Sequence, residues 1–179
     1  MEDNKKKKRR AYLDDFRKTG GGEYEYKGAQ YIWEGSKEEF RKQIMVIWGY
    51  AALMAVCIIG AGCLPVPSMI NCVYVILPFT VCFICAVSVI WGICRLTYHG
   101  SSLRAYVYDA TVEQVPMRAV GTIVGAGGTI AGELIYLVKN GFGEAVFSSV
   151  LFILLLAGAM AVLTFLRVEM LKMKWIRGV

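Results

Sequence analysis

The chain has 179 residues, 56% of them hydrophobic, and carries a formal net charge of +6. Its mean hydropathy of +0.49 is higher than a water-soluble domain of this size sustains. The basic excess does not indicate nucleic acid, because twelve of the twenty Lys and Arg precede Ile44 and no Asp, Glu, Lys, Arg or His interrupts Ile44 to Cys94. A run of that length holds two membrane spans of about 20 residues each. The single His, and six cysteines all in or beside apolar segments, leave no His/Cys metal cluster, and no cofactor is expected.

Residues 1–22 read as a basic cytoplasmic tail. Lys5, Lys6, Lys7, Lys8, Arg9 and Arg10 form a block suited to anionic lipid headgroups and to retention on the cytoplasmic side. The first apolar run lies too far downstream for this block to be the charged end of a cleaved signal peptide. Gly20-Gly21-Gly22 is a flexible joint. Residues 23–43 then hold Glu23-Tyr24-Glu25-Tyr26, Lys27-Gly28-Ala29-Gln30 and Tyr31-Ile32-Trp33-Glu34, read as strand, turn and strand. A lone hairpin is marginal, so Leu103 to Tyr108, another alternating Tyr-rich run, is a candidate third strand of a small cap. The alternative is that these aromatic rings dip into the headgroups.

Ser36-Lys37-Glu38-Glu39 is a capping box that opens a helix running into the first span. The membrane domain is placed at 44–166, with spans at 44–63, 72–94, 119–138 and 145–166 and a loop at 95–118. Trp48 and Trp91 mark one interface. Pro65 and Pro67 break the chain between the first two spans, Pro78 is a kink site, and Pro116 lies in the lead-in to the third span. Cys63 and Cys72 bracket that break and are a candidate disulfide. Cys82 and Cys85, mid-span, are read as buried thiols. The tail, 167–179, is expected to be an amphipathic helix, with Val168, Leu171 and Trp175 on one face and Arg167, Lys174 and Arg177 meeting phosphates.

The third span organises the rest. Gly121, Gly125, Gly128 and Gly132 form a helix stripe without side chains, suited to close helix packing. Gly125-Ala126-Gly127-Gly128 lacks the Gly-Lys-Ser/Thr that a phosphate loop requires. Beside the stripe run Thr122, Ala126, Thr129 and Glu133. Glu133 is the acid placed at bilayer depth, roughly 7 or 8 Å from the span's end at about 1.5 Å per residue. Such an acid is paired, protonated or functional, so it reads either as a snorkelling structural group or as a proton- or cation-coupling group. Lone His99 has no second His or Cys nearby to work with and reads as an interfacial residue.

Nineteen Lys and Arg flank one end of the spans and Lys139 alone the other, which predicts both termini cytoplasmic. The fold expected is an all-α four-helix transmembrane bundle, in a cell membrane of bacterial cytoplasmic type. With no nucleophile and base to assemble, the expected role is non-enzymatic: an accessory or regulatory subunit that binds another membrane protein, such as a transporter, through the glycine face or the aromatic cap. The alternative is a small proton-coupled transporter or channel, homo-oligomeric around Glu133.

Overall fold

A computed structural model describes residues 16–18, 24–26, 28–141 and 145–178. The chain order is β1 (Phe16–Lys18), β2 (Tyr24–Tyr26), β3 (Gln30–Trp33), α1 (Lys37–Gly62), α2 (Pro67–Asn71), α3 (Val73–His99), β4 (Ser102–Arg104) and α4 (Ala105–Tyr108). A π-helical turn (Asp109–Glu113), α5 (Gln114–Asn140), α6 (Val146–Leu171) and β5 (Trp175–Gly178) follow. Four helical stretches are long and apolar enough to cross a membrane: α1, α3, the continuous run Ala105–Asn140, and α6. They mark a multi-pass membrane protein. The basic block Lys5 to Arg10, the joint Gly20–Gly22 and part of the turn after Lys139 lie outside the described residues.

The starts of α1 and α2 satisfy or avoid the orphan amides of a first turn. At α1 the capping box forms as read: the Ser36 hydroxyl accepts from the Glu39 amide at 3.2 Å and the Glu39 carboxylate accepts from the Ser36 amide at 2.8 Å. At α2, Pro67 stands at the first helical position, where a missing N–H costs nothing. Within the run Ala105–Asn140, Pro116 has no amide for the Val112 carbonyl and its ring crowds it. The π-helical turn ends three residues before this proline, widening the ladder where the crowding falls.

The bundle runs α3 beside α5, α5 beside α6, and α6 beside α1. Its core is drawn from all four long helices and includes Ile47, Met54 and Ile58 of α1, Val89 and Ile93 of α3, and Phe152, Leu156 and Leu163 of α6. The glycine stripe faces α3. A Cβ on Gly125 would lie 2.8 Å from the Cys82 amide nitrogen, and one on Gly132 would lie 2.7 Å from the Tyr74 carbonyl oxygen. A Cβ on Gly121 would lie 3.2 Å from the Cys85 sulfur and one on Gly128 3.3 Å from the Pro78 ring. Pro78 also explains the Tyr74 contact: it offers no N–H to the Tyr74 carbonyl, and that oxygen rests instead against the backbone of Gly132.

The β structure differs from expectation. β2 pairs with β1, Phe16 opposite Tyr26 and Lys18 opposite Tyr24, rather than with the Tyr31 strand. β3 is the centre of a separate three-stranded antiparallel sheet of order β4-β3-β5, with Tyr31 opposite Leu103 and Trp33 opposite Trp175. The loop does supply a strand, but it stops at Arg104, and Ala105–Tyr108 is already helical. The supposed loop 95–118 is therefore mostly helix. The tail is corrected too: α6 ends at Leu171 and Trp175–Gly178 is a strand, not an amphipathic helix. The indole of Trp175 fixes that outcome, because it packs edge-on to Trp33, Phe40 and Tyr108 at 5.8, 6.1 and 6.1 Å, while Tyr31 stacks on Tyr108 at 3.9 Å.

Candidate functional site

Buried polar side chains in the bundle fall into two groups. Thr111, Thr122 and Thr129 donate back to the carbonyls of Val107, Arg118 and Gly125, at 2.6, 3.0 and 2.8 Å. These hydroxyls are satisfied within their own helix. Glu133 is not. It has no solvent exposure, its Oε2 accepts a hydrogen bond from the Ser68 hydroxyl, and its Oε1 is buried with no hydrogen-bond partner among the described residues.

The two elements that make this pair are built differently. α5 carries Glu133 one residue past Gly132, where an added Cβ would meet the Tyr74 carbonyl oxygen of α3 at 2.7 Å. α2 is a five-residue helix between Pro67 and Asn71 that turns Ser68, also with no exposure, into the bundle while Ile70 stays 86% exposed. Buried Val66 anchors the approach to α2. Ser68 was not singled out from the sequence, where Pro65 to Ser68 reads as a plain turn. The proline at the first helical position, followed by Ser, is the signal that a short helix starts there.

A cleft of about 440 Å³ lies at this end of the bundle, lined by Pro67, Tyr136, Leu137, Asn140, Val146 and Ser149 among others. It begins beside Ser68 in sequence and one helical turn beyond Glu133. A carboxylate with one bare oxygen at zero exposure is costly in a low-dielectric interior. The arrangement suits an occupant on Oε1, either a proton or a small cation.

The other sites of interest are not brought to Glu133. Cys63 and Cys72 are both free, the first exposed and the second half-buried, because the chain between them is a helix rather than a tight turn. Cys82 is buried and Cys85 half-buried, and both lie along the glycine stripe. His99 caps α3 at the sheet end, its Nδ1 2.9 Å from the Arg95 carbonyl oxygen. Among the described residues no group of three His, Cys, Asp or Glu could hold a metal ion. Trp48 donates to the Thr97 hydroxyl at 3.0 Å, tying α1 to α3 near the sheet.

These features define a class, a multi-pass membrane protein with, among the described residues, one buried acid near the end away from its sheet. No protein-family model, curated protein or solved structure matches the chain.

Proposed function

We propose that this chain is a small ion-coupled membrane transport protein in which Glu133 takes up and releases the coupling proton. The observation that carries the reading is the state of that side chain: wholly buried, held by Ser68 on one oxygen and bare on the other. An intramembrane acid without a counter-charge is a functional group by default. The exchange path runs past α2 to the cleft, and withdrawal of Ser68 would open Glu133 to it. Because Glu133 is met by a serine of its own chain, the site does not need a second copy to complete it. The protein sits in a cell membrane of bacterial cytoplasmic type with both termini and the sheet on the cytoplasmic side, a placement supported by the Lys and Arg asymmetry. It has no enzymatic role in this reading.

The test is infrared difference spectroscopy of the purified protein in lipid, between acid and alkaline pH. A protonated-carboxyl band that titrates in the native chain and is absent from Glu133→Gln supports the reading. A spectrum unchanged by that substitution overturns it. A second reading, the accessory subunit bound to another membrane protein, is favoured by one observation. The outer edge of β5 has no strand beside it among the described residues, and an open edge accepts a strand from a partner. The glycine face serves that reading less well, since α3 already occupies it. Co-purification in mild detergent with a stoichiometric foreign protein, lost on deleting Trp175 to Val179, would select it.

A further inference from the structure

We propose that the outward face of α3 at the sheet end is a binding site for an anionic phospholipid, with Arg95 as the headgroup contact and Trp91 and Tyr98 as the walls for an acyl chain. Trp91, Cys94, Arg95 and Tyr98 are spaced three, one and three residues apart, so they share one face of the helix. Together they line a groove of about 450 Å³. Trp91 is 68% and Tyr98 87% exposed, and the apolar surface continues along the helix through exposed Val87 and Ile84. Lipid tails would cover such a surface anywhere on the bundle. Charge is what distinguishes this stretch.

Arg95 is half-buried, and its guanidinium is held 5.8 Å from the Tyr106 ring centroid. The ring positions the cation without neutralising it. No carboxylate does so either: among the described residues the one ion pair is Lys172 with Glu169. Nearby Arg118 is engaged differently, donating to the Ser88 carbonyl at 3.1 Å and the Gln114 side chain at 2.6 Å. Arg95 is thus a guanidinium with no carboxylate partner among the described residues, beside an apolar groove and four residues before the end of α3. Its planar fork matches the two free oxygens of a phosphodiester. Trp91 lies one turn deeper, at the level where an indole bridges headgroup and tail. The occupant with both chemistries is a lipid with a net negative phosphate headgroup; a zwitterionic lipid brings a compensating cation to the same place.

The experiment is native mass spectrometry of the full chain, released from detergent after equilibration with equal amounts of phosphatidylglycerol and phosphatidylcholine of matched acyl chains. The native protein is expected to retain phosphatidylglycerol preferentially. Arg95→Gln should lower that preference about tenfold, Arg95→Lys should restore part of it, and Trp91→Ala should shorten retention of both lipids. Lys139→Gln, at the opposite end of the bundle, should leave the preference intact. Equal retention of the two lipids by the native chain overturns the proposal, as does a preference that survives Arg95→Gln. Displacement of the lipid by inorganic phosphate also overturns it, because the groove would then be a free-anion site. Unfolding midpoints measured in parallel separate a lost site from a lost fold: if Arg95→Gln unfolds, Trp91→Ala decides.

Discussion

Replacing Gly125 with alanine tests how α3 and α5 are joined. The new methyl would lie 2.8 Å from the Cys82 amide nitrogen and 2.9 Å from its Cα. Both are backbone atoms, so no rotamer change relieves the contact. Carbon contacts are comfortable near 3.5 to 4.0 Å, so the helices must part by about 0.7 to 1 Å at this level, and a gap of that size forfeits about a quarter to a half of each displaced contact. Overpacking of this kind costs ~1 to 3 kcal/mol, and alanine's better helix propensity returns up to ~1 kcal/mol. The net expectation is a loss of ~0.5 to 2 kcal/mol. Gly49, with nothing within 4 Å of its added Cβ, is the control and should gain slightly. Gly132→Ala, against the Tyr74 carbonyl, should resemble Gly125→Ala. Gly128→Ala should be milder, because the Pro78 ring needs to yield only a few tenths of an ångström. Reversible unfolding in mixed micelles of mild detergent and dodecyl sulfate measures the series. If Gly125→Ala unfolds with Gly49→Ala, the stripe is not a close helix contact and the reasoning fails.

Ser68→Ala removes the donor to Glu133 and should destabilise the fold by ~1 to 3 kcal/mol, whereas Ser68→Thr, which keeps the hydroxyl, should lose less; equal stability of all three chains in thermal unfolding would show that the hydrogen bond contributes nothing. In oxidising buffer Cys63 should label with a membrane-impermeant maleimide without prior reduction, and Cys82 should resist until the protein is denatured; a requirement for reductant at Cys63 would show a disulfide. Trp175→Ala should strip the edge-on partner from Trp33 and Phe40, shifting indole emission to the red and lowering stability by ~3 kcal/mol or more; unchanged emission would place Trp175 outside the aromatic cluster. Reporter fusions after Ser101 and after Gly141 should fall on opposite sides of the membrane, with Ser101 cytoplasmic, and the reverse result would refute the charge-based orientation.

The first, second and fourth long helices are legible because an uncharged apolar run of twenty residues or more has few other uses, the third is legible from its glycine stripe despite Glu133, and Ser36 with Glu39 is a local signal read over three residues. The sheet was legible only in part. The Tyr31 strand and its loop partner can be proposed from alternation, but their register depends on residues about 70 positions apart and the third strand on residues about 140 apart. Val168, Leu171 and Trp175 fit a helical period as well as they fit a helix end followed by a strand. Only the packing of the Trp175 indole among Tyr31, Trp33, Phe40 and Tyr108 separates the two. At the candidate site Glu133 stood out by charge alone. Ser68 did not, since a serine after two prolines in a short connection resembles any turn, and its inward orientation is set by the helix of which it is the second residue.

The central strand of the sheet takes both its neighbours from far along the chain. Gln30–Trp33 has one neighbour roughly 70 residues downstream and the other roughly 140, and pairing across such separations is the slow part of folding. Until Trp175 arrives, Trp33 and Phe40 lack the ring that covers them and β3 has a bare edge. A chain in which β5 has not docked therefore keeps an aromatic surface and an unpaired strand edge on display, so Trp175–Gly178 acts as a seal at this end of the bundle.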